Sequence, residues 1–151
     1  MSTQIIRPPA FQRPSGRMYL FAVQNNIADG SWVDIVLNAV SADFKDGIED
    51  IANHRIVVDV AGFYFVNGQI SLKEAPVNIQ YSVRITKNAA AICLAVLHNR
   101  DLLILRRNFS NIIYCSAGDI FEMSVYSADA TNATDIQGGE NETYLAVQRV
   151  R

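Results

Sequence analysis

The sequence predicts an all-β fold, a sandwich or barrel of about eight to ten short strands. The first observation is the segment Val77–Lys87, in which apolar and polar residues alternate as they do in a half-buried strand. The second is the regular spacing of turn sequences such as Asp29-Gly30 and Gly138-Gly139. The third is that no segment has a convincing amphipathic helical pattern, so strands must supply the core.

Ten segments have the alternation or the β-branched and aromatic content of strands. In chain order they are Tyr19–Gln24, Trp32–Leu37, Arg55–Val60, Phe63–Leu72, Val77–Lys87, Ile92–Leu97, Leu102–Arg106, Asn111–Cys115, Asp119–Ser127 and Thr143–Val150. The segment Ser41–Asn53 is different, because its apolar residues have helical spacing whereas Gly47 and four acidic residues favour a loop. We predict a loop there.

The 151 residues suit one domain with a full hydrophobic core. Residues 1–17 contain three of the four prolines and predict an extended arm or linker, so the domain should comprise residues 18–151. No apolar run is long enough for a membrane helix, and the N-terminus lacks the pattern of a signal peptide. We therefore expect a soluble chain without membrane insertion, and display on a cell or virion surface stays open.

Composition argues against several classes of protein. The 13 basic and 15 acidic residues give a net charge of −2, whereas non-specific binding to nucleic acid needs a basic surplus. Cys93 and Cys115 are the only cysteines, too few for a disulfide scaffold. Both lie in apolar, strand-like segments, which favours two buried thiols over a single bridge.

The sequence contains no recognisable catalytic constellation. His54 and His98 are the only histidines, and each is expected at the surface end of a strand. Two histidines cannot provide the histidine cluster of metal-dependent jelly-roll enzymes, and no nucleophile elbow, phosphate-binding glycine loop or dinucleotide-binding motif is present. We therefore expect a protein that is not an enzyme and requires no cofactor.

One acidic segment is a weak candidate for calcium binding. Asp43, Asp46, Glu49 and Asp50 lie within eight positions and offer the hard oxygen ligands that calcium prefers. Their order lacks the spacing of an EF-hand loop. A solvated acidic loop is the interpretation that we favour.

A second polar segment, Ser127–Glu142, is a candidate for ligand contact. Thr131, Asn132, Asp135 and Gln137 offer hydrogen-bonding groups on what should be a long loop of a rigid β scaffold. The alternative, which we favour, is a surface connection without a ligand.

Some predicted strands are apolar on both faces. In Phe63–Leu72, Phe63 and Phe65 lie opposite the face expected in the core, and Asn111–Cys115 and Thr143–Val150 have a similar pattern. Such strands need cover on both sides, since each large apolar side chain left in water forfeits about 1.5–3 kcal/mol. With no helix to spare, we predict that a second copy of the chain covers them. The alternative is cover by long loops of the same domain.

Three segments resemble a known superfamily. Gly62–Val66, Val83–Asn88 and Tyr114–Phe121 are similar to strand starts and turns of the jelly-roll superfamily of tumour necrosis factor (TNF) and the complement globular heads, although Ala89 stands where glycine is usual. The resemblance spans residues 18–150. It implies a ten-stranded antiparallel jelly roll that assembles as a homotrimer.

The resemblance also implies which residues face the threefold axis. Their positions alternate along three strands and comprise Phe63, Phe65, Asn67, Gln69, Asn108, Ser110, Ile112, Tyr114, Tyr144, Ala146, Gln148 and Val150. Several are polar, so the implied axis is not entirely dry.

Taken with the lack of catalytic motifs, this resemblance implies a non-enzymatic, trimeric binding or adhesion domain. We expect a bacterial or phage surface or tail component that recognises a glycan or a protein receptor. The alternative is a purely structural trimerisation or decoration module without a small ligand.

Overall fold

The computed structural model describes residues 15–45, 47–100, 104–128 and 134–150, with the side chains of residues 43–45 left aside. Two antiparallel β-sheets pack face to face around one core, so the prediction of an antiparallel β-sandwich is confirmed. The one helical element among the described residues is a 3₁₀ turn, Ile51–Asn53. None of the described residues forms a helix long and apolar enough to cross a membrane.

Among the described residues, twelve strands make up the two sheets. They are β1 (Ser15–Tyr19), β2 (Trp32–Asp34), β3 (Ala39–Lys45), β4 (Glu49–Asp50), β5 (Arg55–Val57), β6 (Gly62–Lys73), β7 (Gln80–Lys87), β8 (Ala90–His98), β9 (Ile104–Cys115), β10 (Ile120–Ser127), β11 (Asp135–Ile136) and β12 (Tyr144–Arg149).

The front sheet has the order β9-β6-β12-β1-β3, and β11 pairs with β6 beyond the end of β12. The back sheet has the order β4-β5-β10-β7-β8, and β2 pairs with β10. β6 and β9 pair along their whole length, from Gly62 opposite Cys115 to Lys73 opposite Ile104. This ladder joins segments about forty residues apart, so the topology is non-local.

Alternation places one side of each sheet in the core. On β7, Tyr81, Val83 and Ile85 are fully buried, whereas Ser82 and Arg84 between them point outward and are half-buried. β6 obeys the same rule, since Tyr64 and Val66 face β7 and β10 across the sandwich. The residues that the sequence assigns to the core of these two strands are therefore correct.

The described part of the segment predicted at Leu102–Arg106 belongs to the same strand as the segment predicted at Asn111–Cys115, β9, and residues 102 and 103 lie outside the described residues. The polar residues between them suggested a break. They do not interrupt the strand, because residues 107–110 pair with β6 in unbroken register; Leu105 and Phe109 on its inward side are buried, whereas Arg107 between them is exposed. Only one face of a sheet must be apolar, so the outward positions can be polar over any length.

The loop predicted at Ser41–Asn53 is wrong for most of its length. It contains the end of β3, all of β4 and the 3₁₀ turn, Ile51–Asn53. β3 is an edge strand that pairs with β1 through a register shift, so backbone hydrogen bonds stabilise it without a regular apolar pattern.

Several predicted boundaries shift. β1 begins at Ser15, three positions before the predicted domain start, and ends at Tyr19. The segment predicted as Trp32–Leu37 is a strand only as far as Asp34, and the segment predicted as Arg55–Val60 only as far as Val57. Residues 1–14 of the predicted arm lie outside the described residues.

Two of the segments that resemble the superfamily contact each other. The Asn88 amide donates to Oδ1 of Asp119 at 2.8 Å, and its oxygen accepts from the Ile120 N–H at 2.9 Å. The Lys87 ammonium lies 3.3 Å from the other Asp119 oxygen, which also accepts from the Ser116 N–H at 2.9 Å. These bonds join the β7–β8 turn to the β9–β10 turn at one end of the sandwich.

Candidate interaction surface

The outward side chains of β1, β12, β6 and β9 form a continuous surface, the front face. The register sets its rows: Phe65 lies opposite Ile112, Phe63 opposite Tyr114, and Asn67 opposite Ser110. All twelve positions that the resemblance assigned to a threefold axis lie on these strands or directly after them, so the structure brings them to one side of one sheet. Their role in an assembly stays a prediction.

One end of the front face is apolar and exposed. Phe63 is 46% exposed, Phe65 37%, Ile112 62% and Tyr114 53%. The rings of Phe63 and Tyr114 contact each other edge to face, with centroids 5.4 Å apart. Within the part of the chain that the structure describes, no loop covers these four side chains, and their cover by another copy stays a prediction.

The other end of the front face is polar, and part of it is covered by the chain itself. Gln69, predicted at the interface, is only 7% exposed. Its amide donates to the main-chain oxygens of Asn141 at 2.6 Å and Glu142 at 2.9 Å. The β11–β12 connection therefore folds over Gln69 and leaves little of it exposed in the single chain, and its place in an interface stays a prediction. Glu142 in turn accepts from Arg106 at 2.5 Å.

Arg17 adds a feature that sequence reasoning missed. Its guanidinium lies 4.1 Å from the centre of the Tyr144 ring, and Nη2 donates to the main-chain oxygen of Glu140 at 2.7 Å. Its Nε atom is buried without a hydrogen-bond partner among the described residues. The sequence analysis assigned Arg17 to the N-terminal arm. The one signal that could have placed it on a strand is its alternation with the apolar residue Met18.

A cleft of about 210 Å³ lies between the two ends of the front face. Arg17, Phe65, Asn67 and Tyr144 are among the residues that line it. Aromatic, amide and guanidinium groups therefore meet in one depression, on the face that was predicted to contact another copy.

The predicted ligand loop is only partly described. Thr131 and Asn132 lie outside the described residues. The carboxylate of Asp135 accepts from the Asn26 N–H at 2.9 Å, and Gln137 accepts from the Thr143 hydroxyl at 2.8 Å through its main-chain oxygen. These contacts hold Asp135 and Gln137 to neighbouring segments, and a ligand at this loop stays a prediction.

The acidic segment is also only partly described. Asp46 and the side chain of Asp43 lie outside the described residues, and Glu49 is half-buried. A hydrogen bond from Asn53 and the Arg55 guanidinium at 2.8 Å hold the pKa of Asp50 below its usual value. No group of three metal-ligating side chains occurs within the described ranges.

Neither histidine lies in a catalytic arrangement within the described chain. Nδ1 of His54 is 3.0 Å from the main-chain oxygen of Leu37, and His98 is exposed at the end of β8. Cys93 and Cys115 are both free thiols, the first half-buried and the second buried. Burial raises the pKa of Cys115 to about 11, so it stays protonated at neutral pH.

The sheet order and the two-layer core define a TNF-like jelly roll, as the resemblance implied. Murine APRIL superposes with a TM-score of 0.68 and 8% sequence identity, over 92% of this chain and 100% of that one. Eiger TNF from S. frugiperda superposes with a TM-score of 0.62 and 8% identity, over 92% of this chain and 93% of that one. No protein-family sequence model and no curated protein sequence matches this chain. The likeness therefore shows the fold.

Proposed function

We propose that this chain is a non-enzymatic binding domain that assembles as a homotrimer through its front face. The observation that carries the proposal is the apolar end of that face, where Phe63, Phe65, Ile112 and Tyr114 are exposed side by side. Leaving each of them in water forfeits about 1.5–3 kcal/mol, and a contiguous patch of this kind marks an interaction site.

A second copy of the chain fits this face better than an unrelated apolar partner. The front face also carries Asn67, opposite Ala146, and Gln148, opposite Phe65, and neither of these polar side chains is buried in the single chain. A partner must therefore supply polar groups as well as apolar ones, as the front face itself does. The TNF-like fold favours closed threefold symmetry over a dimer.

The finer role is adhesion, in a bacterial or phage surface or tail component that recognises a glycan or a protein receptor. It rests on the rigid β scaffold and on analogy with the fold, and function on such folds lies in added sites. The competing role is a structural trimerisation or decoration module. Binding to a broad glycan array, or its absence, separates the two.

Solution mass tests the assembly directly. Light scattering on the full chain is expected to give the mass of three chains of 16.7 kDa each. A monodisperse monomer across a wide concentration range would contradict the proposal, because the apolar end of the front face would then be stable in water.

A further inference from the structure

The outward side chains of β2, β10, β7 and β8 form the back face, on the opposite side of the sandwich from the front face. Register places Trp32 opposite Tyr126, and Tyr126 opposite Ser82. In the next row, Asp34 lies opposite Ser124, and Ser124 opposite Arg84. Aromatic rings, a cation, a carboxylate and hydroxyls therefore lie within two adjacent rows.

Arg84 holds the indole of Trp32 close to the sheet. Its Nε donates to the Ser124 hydroxyl at 2.9 Å, which fixes the guanidinium over the central strand β10. The guanidinium carbon lies 4.0 Å from the centre of the Trp32 ring. Because Trp32 comes from β2, on the far side of β10, its ring must reach across β10 to make this contact.

The two aromatic rings leave an open surface beside unused polar groups. Trp32 remains 37% exposed, and the Tyr126 ring centre lies 5.8 Å away at an interplanar angle of 53°. Within the described ranges, the indole N–H of Trp32 and the carboxylate of Asp34 make no hydrogen bond, and Arg84 makes no ion pair.

This combination matches the chemistry of a sugar ring. A pyranose has an apolar C–H face that packs on aromatic rings, and hydroxyls that pair with carboxylates, guanidinium and indole N–H groups. A purely apolar partner would bury Asp34 and Arg84 without partners at high cost. Charge complementarity thus favours a polar ligand that also has an apolar face.

We propose that Trp32, Tyr126, Arg84 and Asp34 form a binding site for one pyranose residue of a glycan. The site deepens the adhesion role proposed above and rests on that role, but it does not depend on the front face. Arg84 can pair with the carboxylate of an acidic sugar as well as with hydroxyls. Neutral and acidic pyranoses are therefore separate arms of the test.

Trp32 itself reports binding, because it is the only tryptophan of the chain. We would titrate the full chain with galactose, N-acetylglucosamine and glucuronic acid while following tryptophan fluorescence. At least one sugar is expected to give a saturable change in emission. Asp34→Ala and Tyr126→Ala are each expected to weaken that affinity by about tenfold, as the loss of one such contact implies.

A matched control lies away from the site. Val77 is 49% exposed in the β6–β7 connection, and Val77→Ser should leave the titration unchanged. Saturation-transfer NMR on Trp32→Ala, with its melting temperature checked, should show loss of the sugar signal without unfolding. Trp32→Phe should retain part of that signal.

Two results would overturn the site. One is no saturable change with any of the three sugars, together with a glycan array that shows no binding. The other is sugar binding that survives both Trp32→Ala and Tyr126→Ala unchanged, which would leave the adhesion role intact but place the sugar elsewhere. Neither result alters the solution mass, so failure of this site is distinguishable from failure of the trimer.

Discussion

The two outer faces of the sandwich differ in how their large exposed side chains are arranged. On the front face, Phe63, Phe65, Ile112 and Tyr114 are neighbours, and no described residue of the chain covers them. On the back face, Ser82 and Arg84 separate Leu94 and Val96 on β8 from the aromatic pair on β2 and β10. The exposed apolar surface is therefore contiguous on the front face, whereas polar side chains interrupt it on the back face.

The energetic consequence follows from that difference. Contiguous apolar surface can be removed from water by a partner of the same shape, whereas interrupted surface would bury polar groups along with it. The front face is thus suited to tight self-association, and the back face to a ligand that supplies its own hydrogen bonds. The exposed fraction of a single residue does not distinguish the two faces, since Leu94 on the back face is 59% exposed and Ile112 on the front face is 62% exposed.

The largest expected effect comes from that pair of residues. Ile112→Asp should dissociate the proposed trimer, because a carboxylate buried without a partner costs about 3–5 kcal/mol per copy. Leu94→Asp, at equal exposure on the back face, should leave the mass unchanged. Light scattering on both variants checks this. Retention of the same mass by both would show that the front face is not the interface.

The turn contact at Asp119 should give the next largest effect, on each chain alone. The hydrogen bond that its carboxylate accepts from the Asn88 amide lowers the pKa of Asp119 below 3.8, and the bond from the Ser116 N–H lowers it further. Asp119→Ala should lower the free energy of unfolding by about 1–2 kcal/mol at neutral pH, because the exposed Asn88 amide and Ser116 N–H exchange a charged acceptor for water. Chemical denaturation measures it, and the exposed Asp59→Ala is the control.

The pH dependence has a defined sign. Because the folded pKa of Asp119 is lower than 3.8, the unfolded chain binds the proton first as pH falls. The stability from this group is complete above that value and disappears as pH falls through the lower folded pKa. Asp119→Ala should therefore show a weaker loss of stability in acid than the parent chain. An unchanged acid profile would contradict this role.

A smaller effect is expected for the stacking on the back face. Arg84→Ala removes the bond to Ser124 and the contact with the Trp32 ring, which should cost about 1 kcal/mol of folding stability. The oligomeric mass should not change, in contrast to Ile112→Asp. The emission of Trp32 should shift as its ring is released. A variant that dissociated the trimer would break the distinction between the two faces.

The smallest expected effect lies at Ala89, which has a φ of +68° in the β7–β8 turn. This left-handed conformation disfavours a side chain, so Ala89→Gly should stabilise the chain by about 1 kcal/mol. Ala90→Gly, one position later at the start of β8, should destabilise it by about 0.5–1 kcal/mol. Thermal unfolding of the two variants compares them. Equal shifts of the melting temperature in the same direction would show that the left-handed conformation of Ala89 does not destabilise the chain.

Much of the fold could be predicted because the evidence for it is local. Alternation in β7 and β6 assigned Tyr64, Val66 and Val83 to the core correctly, since the strand period is set by backbone geometry alone. The segment Ser41–Asn53 was mispredicted because β3 depends on backbone pairing with β1, which does not require a regular alternation of apolar and polar residues. The join of two predicted segments into β9 was missed for a similar reason.

The candidate sites divide in the same way. The outward positions Phe63, Phe65, Ile112 and Tyr114 followed from alternation together with the resemblance. The burial of Gln69 could not be predicted in this way, since it results from contacts with main-chain oxygens more than seventy positions away. No spacing rule connects residues that meet only after the chain has folded.

The sequence by itself determined the class of fold and which side of β6 and β7 faces inward, because alternation depends only on residues one or two positions apart. Only the tertiary structure decided what lies on the outward sides. It placed Arg17 on Tyr144, folded the β11–β12 connection over Gln69 and brought Trp32 to Arg84. These contacts depend on strand order and register, which are properties of the whole chain in its compact state.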